Sequence, residues 1–139
     1  MTAGPSIAGH RPRILIVDDE VDNRELLVLI LSLGGFAVSS ACCGDEALAA
    51  MAIAPPELVL LDVMMPGMTG FEVAVRIKAD VSTRNIPVMI VTALEDLESR
   101  ALAMSAGAED FMTKPIDRAT LLARVSDLFR RHYADYRAR

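Results

Sequence analysis

Several residue types and patterns are scarce or missing in this sequence of 139 residues. The only cysteines, Cys42 and Cys43, are neighbours, so they cannot form a disulfide framework. No apolar run approaches the about 20 residues that a membrane span needs, and residues 1–12 lack the apolar segment of a signal peptide. These absences argue against a membrane protein and a disulfide-stabilised secreted protein. A reducing cytoplasm is therefore the expected setting.

Positive charge and aromatic residues are also scarce. The chain has 14 Lys and Arg against 19 Asp and Glu, a net charge of −5, no Trp and 4% aromatic residues. This balance argues against a chain whose main partner is nucleic acid or an anionic membrane. With 53% hydrophobic and 24% charged residues, the composition is globular and the length fits one domain. Its core must be aliphatic and rich in Met.

Short aliphatic runs alternate along the chain with segments of helical periodicity. The runs, which predict strands, lie at 14–17, 36–41, 58–61, 88–91 and around 111–112. Five segments are predicted to be helices. The first has an apolar face at Leu26, Leu27, Ile30 and Leu31, the second lies at 45–53, the third follows Gly70, the fourth lies at 95–106, and the fifth follows Pro115. Solid aliphatic strands between helices predict an α/β fold, a doubly wound parallel sheet of five βα units with helices on both faces.

The two ends of the chain lack this pattern. Residues 1–12 contain Gly, Pro and Ser with little periodicity, so we interpret them as a flexible leader before a domain over 13–131. Residues 132–139 have two interpretations. They are either the solvated end of the last helix or a linker stub, with Tyr133 and Tyr136 on one helical face.

Polar side chains follow four of the five predicted strands. They are Asp18-Asp19-Glu20 after the first, Asp62 after the third, Thr92-Ala93 after the fourth and Lys114-Pro115 after the fifth. Functional sites of doubly wound sheets lie outside the carboxyl ends of the strands, so we expect these residues to converge there.

Converging carboxylates repel one another unless a cation is present. Oxygen ligands without His or Cys favour Mg²⁺ over Zn²⁺, with Mn²⁺ as an alternative. A metal and the Lys114 ammonium beside Asp62 would keep its carboxylate ionised and nucleophilic toward a phosphoryl group. Thr92 can donate a hydrogen bond to that group, and the small Ala93 leaves space for it.

The ordered set of motifs resembles the receiver domain of two-component response regulators, over about Arg13 to Arg131. The resemblance rests on ILIVDDE at 14–20, LVLLDVMMPGMTG at 58–70, VTA at 91–93 and FMTKPID at 111–117. It implies a flavodoxin-like fold with strand order 2-1-3-4-5. It also implies a phosphorylation-dependent signalling switch, not an enzyme in its own right.

The resemblance further implies a role for each matching residue. Asp62 would be the phosphoacceptor, and Mg²⁺ would be held by Asp18, Asp19, Asp62 and the backbone carbonyl of Met64. Lys114 would bind the phosphoryl group, and its peptide bond to Pro115 would be cis. The phosphodonor would be a sensor histidine kinase or a histidine phosphotransfer protein.

The resemblance also implies a switch pair, Thr92 and Phe111. Phosphorylation would draw the Thr92 hydroxyl toward Asp62 and let the aromatic ring turn inward. This would shift the face formed by the fourth helix, the fifth strand of the predicted sheet and the fifth helix between inactive and active states. Homodimerisation through that face is an open alternative; nucleic-acid binding is not expected of this chain.

Less specific interpretations exist for each residue. Asp18-Asp19-Glu20 alone would suit the first turn of a helix, Thr92 alone would suit an N-cap, and Lys114 alone would be a solvated lysine. Cys42 and Cys43 are expected to be packing residues. The alternative function is a pseudo-receiver that binds partners without phosphorylation, which the complete set of acidic, hydroxyl and lysine side chains disfavours.

Overall fold

A computed structural model describes residues 4–94 and 96–138 as one five-stranded sheet flanked by helices, with a short ribbon at the chain ends. In chain order the elements are β1 Ser6–Ile7, β2 Arg13–Val17, α1 Val21–Leu33, β3 Ala37–Ala41, α2 Gly44–Ile53, β4 Leu58–Leu61, α3 Gly70–Ala79, β5 Val88–Thr92, α4 Leu97–Ser105, β6 Asp110–Thr113, α5 Arg118–His132 and β7 Tyr136–Arg137.

The sheet has the predicted topology. Its strands run parallel in the order β3-β2-β4-β5-β6, which is the predicted 2-1-3-4-5 pattern. All residues of β4 and β5 are buried, because helices cover both faces of the sheet. One core cluster joins the sheet to residues of α1 and α5, and the other joins it to residues of α2, α3 and α4.

The helices begin and end for local reasons. Gly34 is the C-cap of α1, and Thr69, Asp96 and Asp117 are the N-caps of α3, α4 and α5. The side chains of these three N-caps accept hydrogen bonds from backbone N–H groups of the first turn. The predicted apolar face of α1 is only partly right. Its buried residues are Leu27, Ile30 and Leu31, whereas Leu26 remains 50% exposed.

The ends of the chain differ from the prediction. Ser6–Ile7 pairs antiparallel with Tyr136–Arg137, and we call this ribbon the terminal clasp. Ile7 is buried, so residues 4–12 are not a loose leader. α5 ends at His132, so Tyr133 and Tyr136 do not share a helical face. The clasp forms because Ile7 and Tyr136 bury apolar surface against the α1 and α5 side of the sheet.

Across the described residues, every helix is too short or too polar to span a lipid bilayer.

Candidate functional site

Asp18 and Asp62 are positioned by the two central strands of the sheet. The Asp18 N–H donates to the Ala41 carbonyl at 3.1 Å and the Asp62 N–H donates to the Val17 carbonyl at 2.9 Å, so the strand ladder continues to both residues. Both residues are buried, at 1% and 8% exposure. The run of apolar residues in β4 therefore ends in a carboxylate that lies beside a second one.

Each oxygen of the Asp18 carboxylate has a donor. Oδ1 accepts from the Glu20 N–H and Oδ2 accepts from Lys114 Nζ, both at 2.9 Å. The Arg24 guanidinium donates to the Asp18 backbone carbonyl at 2.8 Å. These contacts fix the orientation of Asp18, and they leave Asp62 with fewer partners.

Lys114 is the cation between the two buried carboxylates. Its Nζ lies 2.9 Å from Asp18 Oδ2 and 3.6 Å from Asp62 Oδ2, with the side chain only 16% exposed. The Lys114 N–H donates to the Thr92 carbonyl at 2.8 Å, which ties the residue to the end of β5. The Lys114-Pro115 peptide bond is cis.

The charge balance at Asp62 is unfavourable. Burial raises the pKa of its carboxyl above the ordinary value; the Lys114 ammonium lowers it, and the Asp18 carboxylate raises it further. The Met64 N–H makes only a long hydrogen bond to Asp62 Oδ1, at 3.4 Å. One lysine therefore does not fully compensate the carboxylates at this rim.

A divalent cation would supply the missing charge. One carboxylate oxygen from each of Asp18, Asp19 and Asp62 lies within 4.8 Å of the others. Asp19 is exposed and lines an open pocket of about 610 Å³ together with Asp62, Met64, Ala93 and Lys114. An all-oxygen donor set with solvent access fits Mg²⁺, which retains several waters when bound.

Thr92 and Phe111 lie close to this rim on neighbouring strands. Thr92 is fully buried at the end of β5, and its hydroxyl is among the groups that lower the pKa of Asp62. Phe111, on β6, is 4% exposed. The Arg100 guanidinium of α4 lies over the Phe111 ring, 5.0 Å from its centroid, at a cation–π distance.

Sequence reasoning did not predict how Glu20, Arg24 and Gly70 shape the site. Glu20 was placed at the rim, but the hydrogen bond of its backbone N–H to Asp18 was not foreseen, and neither was the contact of Arg24. Gly70 approaches Asp62 so closely that a Cβ there would lie 2.2 Å from the Asp62 carbonyl oxygen. The glycine at the start of α3 was visible in the sequence, but its proximity to Asp62 was not. Only the packing of α3 against the end of β4 creates the need for it.

The sequence and the structure were also compared with known proteins. Residues 14–126 match the model of a family described as the response regulator receiver domain. The chain belongs to this family. Receiver domains are regulatory phosphoacceptors in phosphorylation-based signalling, and they generally use Mg²⁺ at an acidic pocket.

Two curated relatives illustrate the match. The response regulator PleD of Caulobacter vibrioides is 48% identical over 118 residues, which are 85% of this chain and 26% of the relative. The transcriptional regulator RpaA of Synechocystis is 38% identical over 120 residues, which are 86% of this chain and 50% of the relative. The receiver chain thus spans a quarter to a half of these relatives.

Solved receiver structures have the same fold. The chemotaxis protein CheY4 of Vibrio cholerae superposes with a TM-score of 0.81 at 29% identity, covering 85% of this chain and 98% of that one. A putative response regulator from Chloroflexus aurantiacus gives a TM-score of 0.84 at 30% identity, covering 87% and 99%. The (βα)5 architecture of this receiver is therefore shared along almost its whole length.

Proposed function

We propose that this receiver is a phosphorylation-dependent switch in which Asp62 accepts a phosphoryl group from a phosphohistidine. The donor would be a sensor histidine kinase or a histidine phosphotransfer protein. The observation that carries the proposal is the position of Lys114 Nζ between the Asp18 and Asp62 carboxylates, with Asp19 close by.

The transfer step uses Asp62 as nucleophile. A carboxylate oxygen of Asp62 attacks phosphorus and an O–P bond forms, while the N–P bond to the donor imidazole breaks and its electron pair returns to the ring nitrogen. Lys114 pairs with the phosphoryl oxygens. Thr92 donates its hydroxyl to the group, and Ala93 leaves room at the pocket rim.

The acidic residues have a separate role. Asp18, Asp19, Asp62 and the Met64 backbone carbonyl are the residues that would hold Mg²⁺, or Mn²⁺ in its place. The bound cation would neutralise charge on the phosphoryl oxygens. Among the described residues, Lys114 is paired with Asp18 and Asp62, and a bound cation would offset the charge that Lys114 leaves uncompensated at Asp62.

The output follows from a change at Thr92 and Phe111. A phosphoryl group adds about −1.5 to −2 charges at Asp62, so it attracts the Thr92 hydroxyl. Phe111 and Arg100 lie on β6 and α4, so a change near Thr92 reaches the face formed by α4, β6 and α5. The proposed signal is a population shift of this face, with homodimerisation through it as one outcome.

The test is the intact mass of the protein after incubation with acetyl phosphate or phosphoramidate and Mg²⁺. We expect one phosphoryl adduct on the wild type, and none on Asp62→Ala or after addition of EDTA. Asp135→Asn, at an exposed site, is the matched control and should retain the adduct.

The alternative is a pseudo-receiver that binds partners without phosphorylation. A folded wild type that binds Mg²⁺ yet gains no adduct from either donor would overturn the phosphoacceptor proposal. That result would favour the alternative.

A further inference from the structure

Cys42 and Cys43 do not have the packing role that the sequence suggested. Cys42 is exposed and Cys43 is half-buried, and both thiols are free. They connect β3 to α2, at the same edge of the sheet as the acidic pocket. The Ala41 carbonyl, directly before them, accepts the backbone hydrogen bond from Asp18.

The two thiols converge with a carboxylate. One ligand atom from each of Cys42, Cys43 and Glu46 lies within 4.8 Å of the other two. Cys42 Sγ donates to Glu46 Oε2 at 3.1 Å. Two sulfurs and one oxygen at this separation can bind a single ion after small side-chain rotations.

The N-cap of α2 gives a second, independent indication. Cys43 occupies the N-cap and makes no side-chain capping bond, although Ser, Thr, Asp and Asn are the residues that normally cap helices. Glu46, three residues later, is where a capping-box acid would bond back to the N-cap N–H. Its carboxylate instead accepts from the Cys42 thiol.

Two adjacent thiols beside a carboxylate form a set of metal ligands. A metal ion would displace the thiol proton that Cys42 donates to Glu46. The start of α2 would also favour the thiolates through its dipole.

We infer that Cys42, Cys43 and Glu46 form a binding site for one thiophilic divalent cation of the zinc class, separate from the all-oxygen acidic pocket. Two thiolates and one carboxylate leave a fourth position for water, which completes a tetrahedral site for Zn²⁺. Mg²⁺, a hard cation that prefers oxygen, would not compete there. The two sites therefore differ in both ligand chemistry and metal selectivity.

The experiment is a titration of the reduced, metal-free protein with Co²⁺, followed by absorbance. Thiolate ligands give a sulfur-to-cobalt charge-transfer band in the near ultraviolet, which carboxylate ligands do not. We expect a band that saturates at one Co²⁺ per chain and disappears when Zn²⁺ displaces the cobalt. Added Mg²⁺ should leave it unchanged.

Variants assign the ligands. Cys42→Ser and Cys43→Ser should each abolish the band, and Ser at position 43 is a favourable N-cap, so the fold should persist by circular dichroism. Glu46→Gln should weaken Co²⁺ affinity by roughly tenfold or more. Asp62→Asn should retain the band, because it alters only the acidic pocket.

Three results would overturn the inference. They are the absence of a charge-transfer band on folded wild type, its retention after either cysteine substitution, and saturation at one ion per two chains. The last result would mean that the metal bridges two molecules. None of these outcomes bears on phosphorylation of Asp62, so the two proposals fail separately.

Discussion

Asp62 shows at the residue scale how a charged side chain is maintained at a cost to stability. Its side chain is 8% exposed and its closest cation, Lys114, lies nearer to Asp18 than to Asp62. Asp18 and Lys114 would remain paired if Asp62 were neutral. The charge of Asp62 is therefore better explained by its proposed chemistry than by the stability of the fold.

Asp62→Asn should stabilise the metal-free protein near neutral pH. Because the pKa of Asp62 is raised in the folded state, its charge destabilises that state above the folded pKa, and this penalty disappears below the unfolded pKa. We expect a gain of about 1 kcal/mol, or roughly 3–6 °C in Tm, in EDTA. The gain should shrink as the pH falls through the raised folded-state pKa and should vanish below about 4, the ordinary carboxyl value.

Thermal unfolding by circular dichroism over a pH series checks this prediction. Asp135→Asn removes an exposed carboxylate and should change Tm little at any pH. The explanation from the charge of Asp62 would be contradicted if Asp62→Asn lowered the Tm at neutral pH. It would also be contradicted if the increase in Tm persisted at acid pH.

Met64 leads to a prediction about the lifetime of the phosphoaspartate, which rests on the proposed function. Its side chain is 61% exposed beside Asp62 and cannot hydrogen-bond an attacking water. Leu94, two residues after Thr92, is equally apolar. Met64→Asn should shorten the lifetime by roughly tenfold, because a positioned polar group assists hydrolysis.

The measurement is the decay of the phosphoryl adduct by mass after removal of the donor. Met104→Asn introduces the same change at an exposed site on α4 and should leave the lifetime unaltered. Equal lifetimes for wild type and Met64→Asn would refute the prediction.

At the scale of elements, the terminal clasp joins the two ends of the chain to the sheet. The Tyr136 ring stacks on Phe129 at 5.3 Å between centroids, and Phe129 stacks on Phe36 at 5.6 Å. The Tyr136 hydroxyl hydrogen-bonds Ser126 at 2.9 Å. The clasp is therefore a packing device built on α5.

Contacts of Glu57 also connect the segments next to the terminal clasp to the sheet. Its carboxylate accepts from the Arg13 N–H and pairs with His10 Nε2, both at 2.9 Å, while its backbone carbonyl accepts from the Tyr133 hydroxyl. Burial raises the pKa of Tyr133 to about 12, so this hydroxyl remains a donor at any physiological pH. His10, Arg13 and Tyr133 thus meet at Glu57, at the edge of the sheet opposite the acidic pocket.

Tyr136→Ala should lower the free energy of unfolding by about 2–4 kcal/mol, because it removes a buried ring and leaves a cavity beside Phe129. Tyr136→Phe, which loses only the hydroxyl bond to Ser126, should cost about 1 kcal/mol. Urea unfolding provides both values. Leu97→Ala, at an 83% exposed site, should have almost no effect; an equally small effect of Tyr136→Ala would show that the clasp contributes little.

At the scale of the whole molecule, the proposed metal binding would be linked to folding through the acidic pocket. Asp18, Asp19 and Asp62 come from two strands that are distant in sequence, so the folded state alone presents them together. A cation that binds only this state stabilises the whole domain by mass action.

Mg²⁺ should therefore raise the Tm of the protein in a concentration-dependent way. The gain approaches about 2.7 kcal/mol when Mg²⁺ is at one hundred times its Kd. Asp19→Asn should reduce the shift, and because Asp19 is exposed, the Tm without metal should change little. Differential scanning calorimetry at constant ionic strength measures the Tm of each protein with and without Mg²⁺. If Mg²⁺ raised the Tm of Asp19→Asn as much as that of the wild type, Asp19 would be excluded as a ligand.

The (βα)5 architecture could be predicted from the amino-acid pattern alone. Short aliphatic runs of four to six residues favour buried strands, and their alternation with helical segments favours a doubly wound sheet. Polar residues directly after the strands then had to share one edge. This is why Asp18, Asp62 and Lys114 could be placed together without coordinates.

Features that depend on contacts between distant segments became visible only in the folded chain. The clasp strands have two residues each, too few for a periodic pattern, and they exist because Ile7 and Tyr136 pack near Phe129. The convergence of Cys42, Cys43 and Glu46 depends on how β3 turns into α2. Periodicity reports which face of an element is apolar, whereas the exposure and neighbours of a given side chain depend on what the fold brings against it.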